Sequence, residues 1–126
     1  MIYLRHIPAP PLNQFVQYFW FYSGFFPDHS LERVLPDGTI ELLIDLHGPP
    51  KKLYEGEDAS LFREYRRAWI SGQHSRFIVI GAEQNSSMMG VHFRPGGAYP
   101  FVPFPVGIAC FCRSSNRVRG RGYVDV

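Results

Sequence analysis

The sequence predicts a mainly β fold, a small barrel or sandwich with one or two short helices. Its 126 residues suffice for one domain with a single core. Aromatic side chains make up 16% of the chain, which favours strands around a broad apolar interior. Eleven prolines and twelve glycines divide the chain into short segments, as is typical of sandwiches and barrels with many short strands.

The first predicted elements are a strand, a helical turn and a second strand. Residues 2–7 alternate in character and are followed by a run of prolines, which ends the strand. Residues 12–16 fit one helical turn, because Pro11 can occupy a first helical position. Residues 17–23 are aromatic on both faces, so we expect a central strand that is covered on both sides.

A hairpin is predicted around the sequence Pro36-Asp37-Gly38-Thr39. Proline presets one turn dihedral and glycine tolerates a positive φ, so this sequence favours a tight turn. Its predicted arms are residues 32–35 and residues 40–46. In the second arm one face is apolar, formed by Ile40, Leu42, Ile44 and Leu46, and the other carries Glu41 and Asp45.

The second half of the chain begins with a polar stretch, residues 48–67, which we interpret as a surface excursion. Within it, Leu61, Phe62 and Tyr65 after Asp58 fit a short capped helix. Three further strands are predicted over residues 68–72, 77–80 and 87–94. A turn-prone sequence at residues 83–86 is expected to join the last two.

Five histidines raise the question of a metal site, but their spacing disfavours one. A strand usually supplies two ligands at positions i and i+2, and no HxH or HxD pair occurs. Ligands pooled from different strands remain an alternative, with His47, His74, His92 and Glu41 as the candidates. We expect no metal and no other cofactor.

Motifs of covalent and acid–base catalysis are also missing from the sequence. No GxSxG turn presents a nucleophile, and Cys110 and Cys112 are too few and too closely spaced for a zinc or thioredoxin-like site. The carboxylates Glu32, Asp37, Glu41 and Asp45 are better explained by a turn and a polar strand face than by acid–base work. Glycines after Arg94 favour a chain turn over a phosphate cradle. We therefore expect a protein that is not an enzyme.

Aromatic residues together with a few polar anchors favour the binding of a small molecule, because pockets combine apolar walls with a small number of polar groups. The predicted ligand-binding residues are Trp20, Tyr22, Arg33, Glu41, Trp69, Phe93 and Arg94. The expected partner is a small-molecule effector.

The charge of the chain is divided between its body and its C-terminal part. The net charge is +2, from thirteen basic and eleven acidic residues. The last seventeen residues contain four arginines and one aspartate, so the body holds nine basic and ten acidic residues, a net of −1. Such a body lacks the basic surface that DNA binding requires. The sequence also has no apolar run of membrane-spanning length and no signal-peptide pattern, which predicts a cytoplasmic protein without membrane contact.

Four segments carry a resemblance to a known family. In chain order they are PPLNQFVQYFWFYSG, ERVLPDGTIELLIDL, AWISGQHSRF and GVHFRPGGAYPF. This combination, from about residue 7 to residue 104, resembles the N-terminal cupin-like sensing domain of a subset of bacterial AraC-type transcription regulators. The most specific parts are the RVLPDG turn with its ELLIDL strand and the VHFRPGGA segment.

This resemblance implies a cupin-like, effector-binding and dimerisation domain over residues 1–104. In such regulators the FRPGGA segment leads into a helix towards a helix-turn-helix DNA-binding half. Here residues 105–126 have Gly, Cys and Arg where that helix needs an apolar stripe, so we expect an irregular or disordered tail, out of frame or truncated, without the DNA-binding half. The expected assembly is a homodimer that does not contact DNA directly.

Two other functions remain open from the sequence. One is a metal-dependent cupin-type enzyme with scattered His and Glu ligands. The other is a structural β dimer that binds no ligand. Bound metal would indicate the first, and an interior without a cavity would indicate the second.

Overall fold

A computed structural model describes residues 1–35, 38–54, 62–72, 77–102 and the backbone of 110–112. Within these residues the chain forms ten strands and one short 3-10 helix, Leu12–Gln14. In chain order the strands are β1 (Ile2–His6), β2 (Val16–Phe25), β3 (Leu31–Val34), β4 (Glu41–His47), β5 (Lys51–Tyr54), β6 (Phe62–Tyr65), β7 (Ala68–Ser71), β8 (Ile78–Gly81), β9 (Ser86–Phe93) and β10 (Cys110–Cys112).

The strands form two antiparallel sheets that make a small β sandwich, so the predicted mainly β fold is confirmed. The larger sheet has six strands in the order β1-β2-β9-β4-β7-β10, and the smaller has the order β3-β8-β5-β6. The aromatic strand β2 lies between β1 and β9, as expected for a strand with apolar side chains on both faces. No helix in the described part of the chain is long and apolar enough to span a bilayer.

The predicted hairpin between residues 32–35 and residues 40–46 is wrong. β3 pairs with β8 in the small sheet, whereas β4 pairs with β7 and β9 in the large one. The chain therefore crosses between sheets where the sequence indicated a tight turn; Pro36 and Asp37 of that turn lie outside the described residues. The turn at Gln84 and Asn85 does form, but it likewise connects strands of different sheets.

The interpretation of residues 48–67 as a surface excursion with a short helix is also wrong where the structure describes them. β5 and β6 pair with each other, and β5 pairs with β8, so this segment supplies half of the small sheet. Leu53 and Tyr65 are buried and pack with Trp69 of the opposite sheet. The polar composition of residues 48–67 did not indicate β5 and β6, because every second side chain of a strand can face solvent.

The outer face of the six-stranded sheet has a core of its own. Val16, Ile40, Val91 and Phe93 pack there with Ala98, which is fully buried. Ala98 belongs to a series of turns after β9 that folds back over the sheet. The large sheet is thus covered on one face by the small sheet and on part of the other by this turn segment.

Candidate ligand-binding site

A cavity of about 290 Å³ lies between the two sheets. The large sheet lines it with Trp20, Tyr22, Leu43, Trp69 and Met88, and the small sheet lines it with Leu53, Tyr65, Ile78 and Ile80. The strand period of two explains this lining, because residues 20 and 22 of β2 share one face while Phe19 packs on the outer core. An apolar hollow with aromatic walls suits a small organic molecule.

The position of Trp20 depends on a glycine in the neighbouring strand. Trp20 is paired with Gly90 of β9, and a Cβ atom at Gly90 would lie 2.2 Å from the Trp20 ring. The indole therefore lies directly on the glycine backbone, and it also stacks on Tyr22 with 5.8 Å between ring centroids. A glycine inside a strand marks such a close approach. Gly90 thus shapes the cavity by letting Trp20 lie flat against the sheet.

A polar cluster adjoins this aromatic wall. Glu41 lines the cavity, and its Oε1 accepts a 2.5 Å hydrogen bond from Nδ1 of His92, the residue opposite it on β9. The His92 ring stacks on Tyr18 at 4.5 Å, and the Arg5 guanidinium lies 3.6 Å from the centre of the Tyr18 ring. The stacking on Tyr18 orients the imidazole, and its hydrogen bond fixes the Glu41 carboxylate at the cavity wall.

A buried lysine and a partly buried aspartate lie near each other between the sheets. Lys51 lines the cavity and is only 9% exposed, and burial lowers the pKa of its ammonium group. Burial raises the pKa of the Asp45 carboxyl group on β4, which Lys51 and His47 partly offset. The Oδ1 atom of Asp45 is buried without a hydrogen-bond partner in the described part of the chain. Lys51 is therefore kept away from water at the cavity wall, and the Asp45 carboxyl group is partly shielded from it.

A phenol completes the polar part of the cavity wall. Burial raises the pKa of the Tyr22 hydroxyl, and the nearby Ser86 hydroxyl partly offsets this shift. Both residues line the cavity. At neutral pH the Tyr22 hydroxyl keeps its proton and is a hydrogen-bond donor at the wall.

Comparison with family models finds one family that covers most of the chain. Residues 4–108 match the family described as Domain of unknown function (DUF6597). The chain belongs to the DUF6597 family. Neither the curated proteins nor the solved structures contain a match to the chain.

In this DUF6597 domain, four of the seven predicted ligand-binding residues meet at the cavity. They are Trp20, Tyr22, Glu41 and Trp69. The structure places the other three elsewhere. Arg33 is exposed on the opposite face of β3, 4.3 Å from the centre of the Phe77 ring, while its neighbour Glu32 faces the cavity. A difference of one position reverses the face of a strand residue, and this explains the different location of Arg33.

Phe93 and Arg94 lie at the end of β9, away from the cavity. Phe93 is buried in the outer core. Arg94 is exposed, and its Nε donates to the backbone oxygen of Asn13 at 2.6 Å. A Cβ atom at Gly97 would lie 2.0 Å from the backbone oxygen of Phe15, so this glycine permits a close approach of two backbone segments. The glycines after Arg94 thus have the structural role that the sequence favoured.

The alternative metal ligands are not gathered in the described part of the chain. No three His, Cys, Asp or Glu side chains among the described residues are grouped closely enough to hold a metal ion. Glu41 and His92 form a pair, while His74 lies outside the described residues.

Lys51 is the buried cation among the cavity residues that the sequence prediction missed. It lies in the segment interpreted as a surface excursion, and a lysine is rarely buried. The available signal was the alternation in Lys51–Tyr54, where Leu53 faces the core and Lys51 must share its face. The prediction followed the polar composition of residues 48–67 and not this short alternation.

Proposed function

We propose that this DUF6597 domain is the effector-binding and dimerisation domain of an AraC-type transcriptional regulator. The observation that carries the proposal is the aromatic cavity between the two sheets. Its volume of about 290 Å³ approaches the lower end of the range of roughly 300–1,000 Å³ for small-molecule pockets. The resemblance of four sequence segments to AraC-type sensing domains supplies the regulatory part of the proposal.

The composition of the cavity supports binding over a purely structural role. Burying Lys51 and partly burying Asp45 costs folding free energy because both charges lose hydration. A domain that only packed two sheets would gain stability from apolar residues at these positions. Retaining them is expected where a ligand supplies the missing partners.

In a regulator, an effector in this cavity acts through the two sheets that enclose it. Binding stabilises the arrangement of the sheets that fits the effector, and this shifts the conformational equilibrium of an attached DNA-binding half. The effector-binding domain itself does not contact DNA in this proposal, and it acts in the cytoplasm. No catalytic step is part of it.

The dimerisation part of the proposal is supported by the edge strand β1. Ile2 and Leu4 are each 60% exposed, and both face the same side of the large sheet. An edge strand with exposed apolar side chains tends to pair with another chain, and a second copy is the partner that we propose. Light scattering during size-exclusion chromatography tests this. A dimer that Leu4→Glu converts to monomers is expected, whereas a monomer at all concentrations contradicts dimerisation.

Ligand binding is tested by native mass spectrometry of the folded chain after incubation with a bacterial metabolite extract. A retained small molecule is expected. Leu43→Trp places an indole in the cavity and is expected to abolish retention, while Leu46→Trp on the same strand, at a half-exposed position, serves as the matched control. Retention by the Leu43→Trp variant, or no retained molecule with the unmodified chain, contradicts the proposal.

The regulatory role is tested by joining the chain to an AraC-type helix-turn-helix half and measuring reporter expression. Adding the retained molecule is expected to change expression, and Leu43→Trp is expected to remove that response. Ligand binding in vitro without any change in expression contradicts the regulatory role while leaving the binding function intact.

A further inference from the structure

We propose that the cavity binds an apolar molecule with a carboxylate group and that the Lys51 ammonium holds this head group. The inference rests on the proposed ligand-binding function and adds the chemical class of the ligand. Its basis is the placement of Lys51 and the pairing of the other charged groups along the cavity wall.

The backbone of β5 directs Lys51 between the sheets. Side chains on a strand alternate, so Lys51 shares the inner face with Leu53, which is buried against Trp69. Lys51 is more than nine-tenths buried and lines the cavity. Its side chain forms no hydrogen bond or ion pair with the residues that the structure describes, although Asp45 and Glu83 act on it electrostatically.

Three of the other four charged residues along the wall already have partners. Glu41 accepts a hydrogen bond from His92, as described above. The Oε1 atom of Glu32 forms a 2.9 Å hydrogen bond with Nε2 of His29 at the outer end of the cavity. The Lys52 ammonium lies 4.9 Å from the centre of the Phe62 ring. These contacts leave Lys51 as the cation available to a ligand.

The fourth, Glu83, lies at the mouth of the cavity. It also lines the outer cleft formed by residues 27–31, so it belongs to the rim. Lys51 is far enough inside to be desolvated, and a desolvated ammonium binds an anion more strongly than an exposed one because water screens it less. A carboxylate that passes the rim therefore gains its main polar interaction at Lys51.

Asp45 lies near Lys51 without forming a close ion pair. No Lys51–Asp45 contact within 4.0 Å occurs, and Oδ1 of Asp45 is an unsatisfied buried atom. Burial raises the pKa of Asp45, so its carboxyl group takes up a proton more readily than an exposed one. Asp45 is only partly buried and is not among the residues that line the cavity, so the head group is bound by Lys51.

The remaining wall determines the rest of the ligand. Trp20, Tyr22 and Trp69 offer ring faces from the large sheet, and Ile78 and Ile80 close the opposite side. These surfaces pack against a ring or a short hydrocarbon chain, and they provide few hydrogen-bonding groups for a sugar or a nucleotide. The ligand class is thus a small aryl or alkyl monocarboxylate.

The first test compares three probes of equal size with different head groups: 3-phenylpropionate, 3-phenylpropanamide and 3-phenylpropylamine. Isothermal titration calorimetry with the unmodified chain measures each affinity. We expect the carboxylate to bind at least about tenfold more tightly than the amide, since a hydrogen bond to a charged partner contributes about 1.5–3 kcal/mol. Equal affinity for all three, tighter binding of the amine, or no binding of any probe overturns the inference.

The second test replaces the cation. Lys51→Met keeps the length of the side chain and removes its charge, and Arg33→Met is the control, because Arg33 is an exposed cation on the face of β3 that points away from the cavity. We expect Lys51→Met to reduce the affinity for 3-phenylpropionate to that for the amide, and Arg33→Met to leave both affinities unchanged. A Lys51→Met variant that still prefers the carboxylate contradicts the role of Lys51. If this variant does not fold, the three-probe comparison with the unmodified chain still decides the ligand class.

These outcomes separate the inference from the proposed function. A chain that retains a neutral or cationic metabolite in native mass spectrometry but shows no carboxylate preference has a binding cavity and a different ligand class. A chain that retains no metabolite and binds none of the probes contradicts both.

Discussion

The two faces of the large sheet show how similar apolar residues can serve different purposes. On the outer face Val16, Phe93 and Ala98 form a filled core without charged groups among its members. On the inner face Trp20 and Trp69 line a cavity whose wall also includes Lys51 and Glu41, the partner of His92. The outer face is closely packed, which stabilises the fold. The inner face has fewer packing contacts around its cavity and a charged group without water, and both features cost stability.

The difference follows from what covers each face. The outer core is closed by the turn segment that directly follows β9, where Gly97 lets the backbone approach Phe15. The inner face is covered by a separate sheet whose strands come from distant parts of the chain. Large aromatic residues keep the two sheets apart around the cavity. Substitutions on the inner face are therefore expected to alter ligand binding most, and substitutions on the outer face are expected to alter the free energy of unfolding most.

The largest expected effect is on the outer face. Phe93→Ala removes a buried aromatic side chain and is expected to lower the free energy of unfolding by about 3–5 kcal/mol. Urea denaturation followed by tryptophan fluorescence measures this. The control is Tyr99→Ala, because Tyr99 is 58% exposed, and it is expected to change stability by less than about 0.5 kcal/mol. Equal losses for both variants would contradict the assignment of the outer core.

The second prediction concerns the wall of the cavity. Gly90→Ala forces the Trp20 ring away from the strand, and the overpacking is expected to cost about 1–3 kcal/mol of stability. Because the displaced ring narrows the cavity, ligand retention in native mass spectrometry is expected to fall under conditions where the variant is still folded. Phe93→Ala, at a temperature where it is folded, is the comparison and is expected to retain the ligand. Unchanged retention by Gly90→Ala would show that Trp20 does not shape the binding space.

A third prediction tests the fixed carboxylate. His92→Phe preserves the stacking on Tyr18 but leaves Glu41 without its donor, which is expected to cost about 1–3 kcal/mol. Thermal unfolding monitored by circular dichroism measures the loss. Arg66→Ala removes the exposed partner of Glu64, 3.3 Å away, and is expected to cost less than about 1 kcal/mol. A loss no greater than that of Arg66→Ala would mean that the Glu41–His92 bond contributes little to the inner face.

The smallest effect is a dependence on pH at Asp45. Burial raises its pKa above the usual value of 3.8, so the folded state binds this proton more tightly than the unfolded state. Stability is therefore lost as pH rises from about 3.8 through the raised pKa of the folded state. Asp45→Asn removes this loss, and the advantage of the variant is expected to grow over that window and then level off. Urea denaturation from acidic to neutral pH measures it.

Asp28 provides a control with the opposite sign. A hydrogen bond from His29 lowers the pKa of the exposed Asp28 carboxyl group, so its contribution to stability is present above its usual pKa and is lost as pH falls. Asp28→Asn is therefore expected to lose its small disadvantage at acidic pH. The same pH trend in both variants would contradict the burial of Asp45.

Much of the fold was predictable because its signals are local. Alternation and aromatic content predicted β1 and β2, and the apolar face predicted β4 close to its observed bounds. Pairing was not predictable, since β3 and β4 follow each other in the chain and yet join different sheets. A turn signal at Pro36 indicates where the chain reverses, but it does not determine which strand the next one contacts.

The residues of the candidate site likewise include some that the sequence predicted and some that it did not. Trp20, Tyr22, Glu41 and Trp69, which line the cavity, were predictable as candidate site residues because aromatic and charged side chains on strands are unusual enough to stand out. Lys51 was not, because a lysine in a polar segment looks like a solvent-exposed residue until the opposite sheet covers it. Arg33 and Glu32 differ by one position, and only the register of β3 against β8 decides which one faces inward.

By itself the sequence determined that this chain forms short aromatic strands, because side-chain alternation and turn residues act within a few positions. The tertiary structure decided which faces meet, which glycine lies under Trp20 and which lysine loses its water. Those outcomes depend on contacts between residues far apart in the chain.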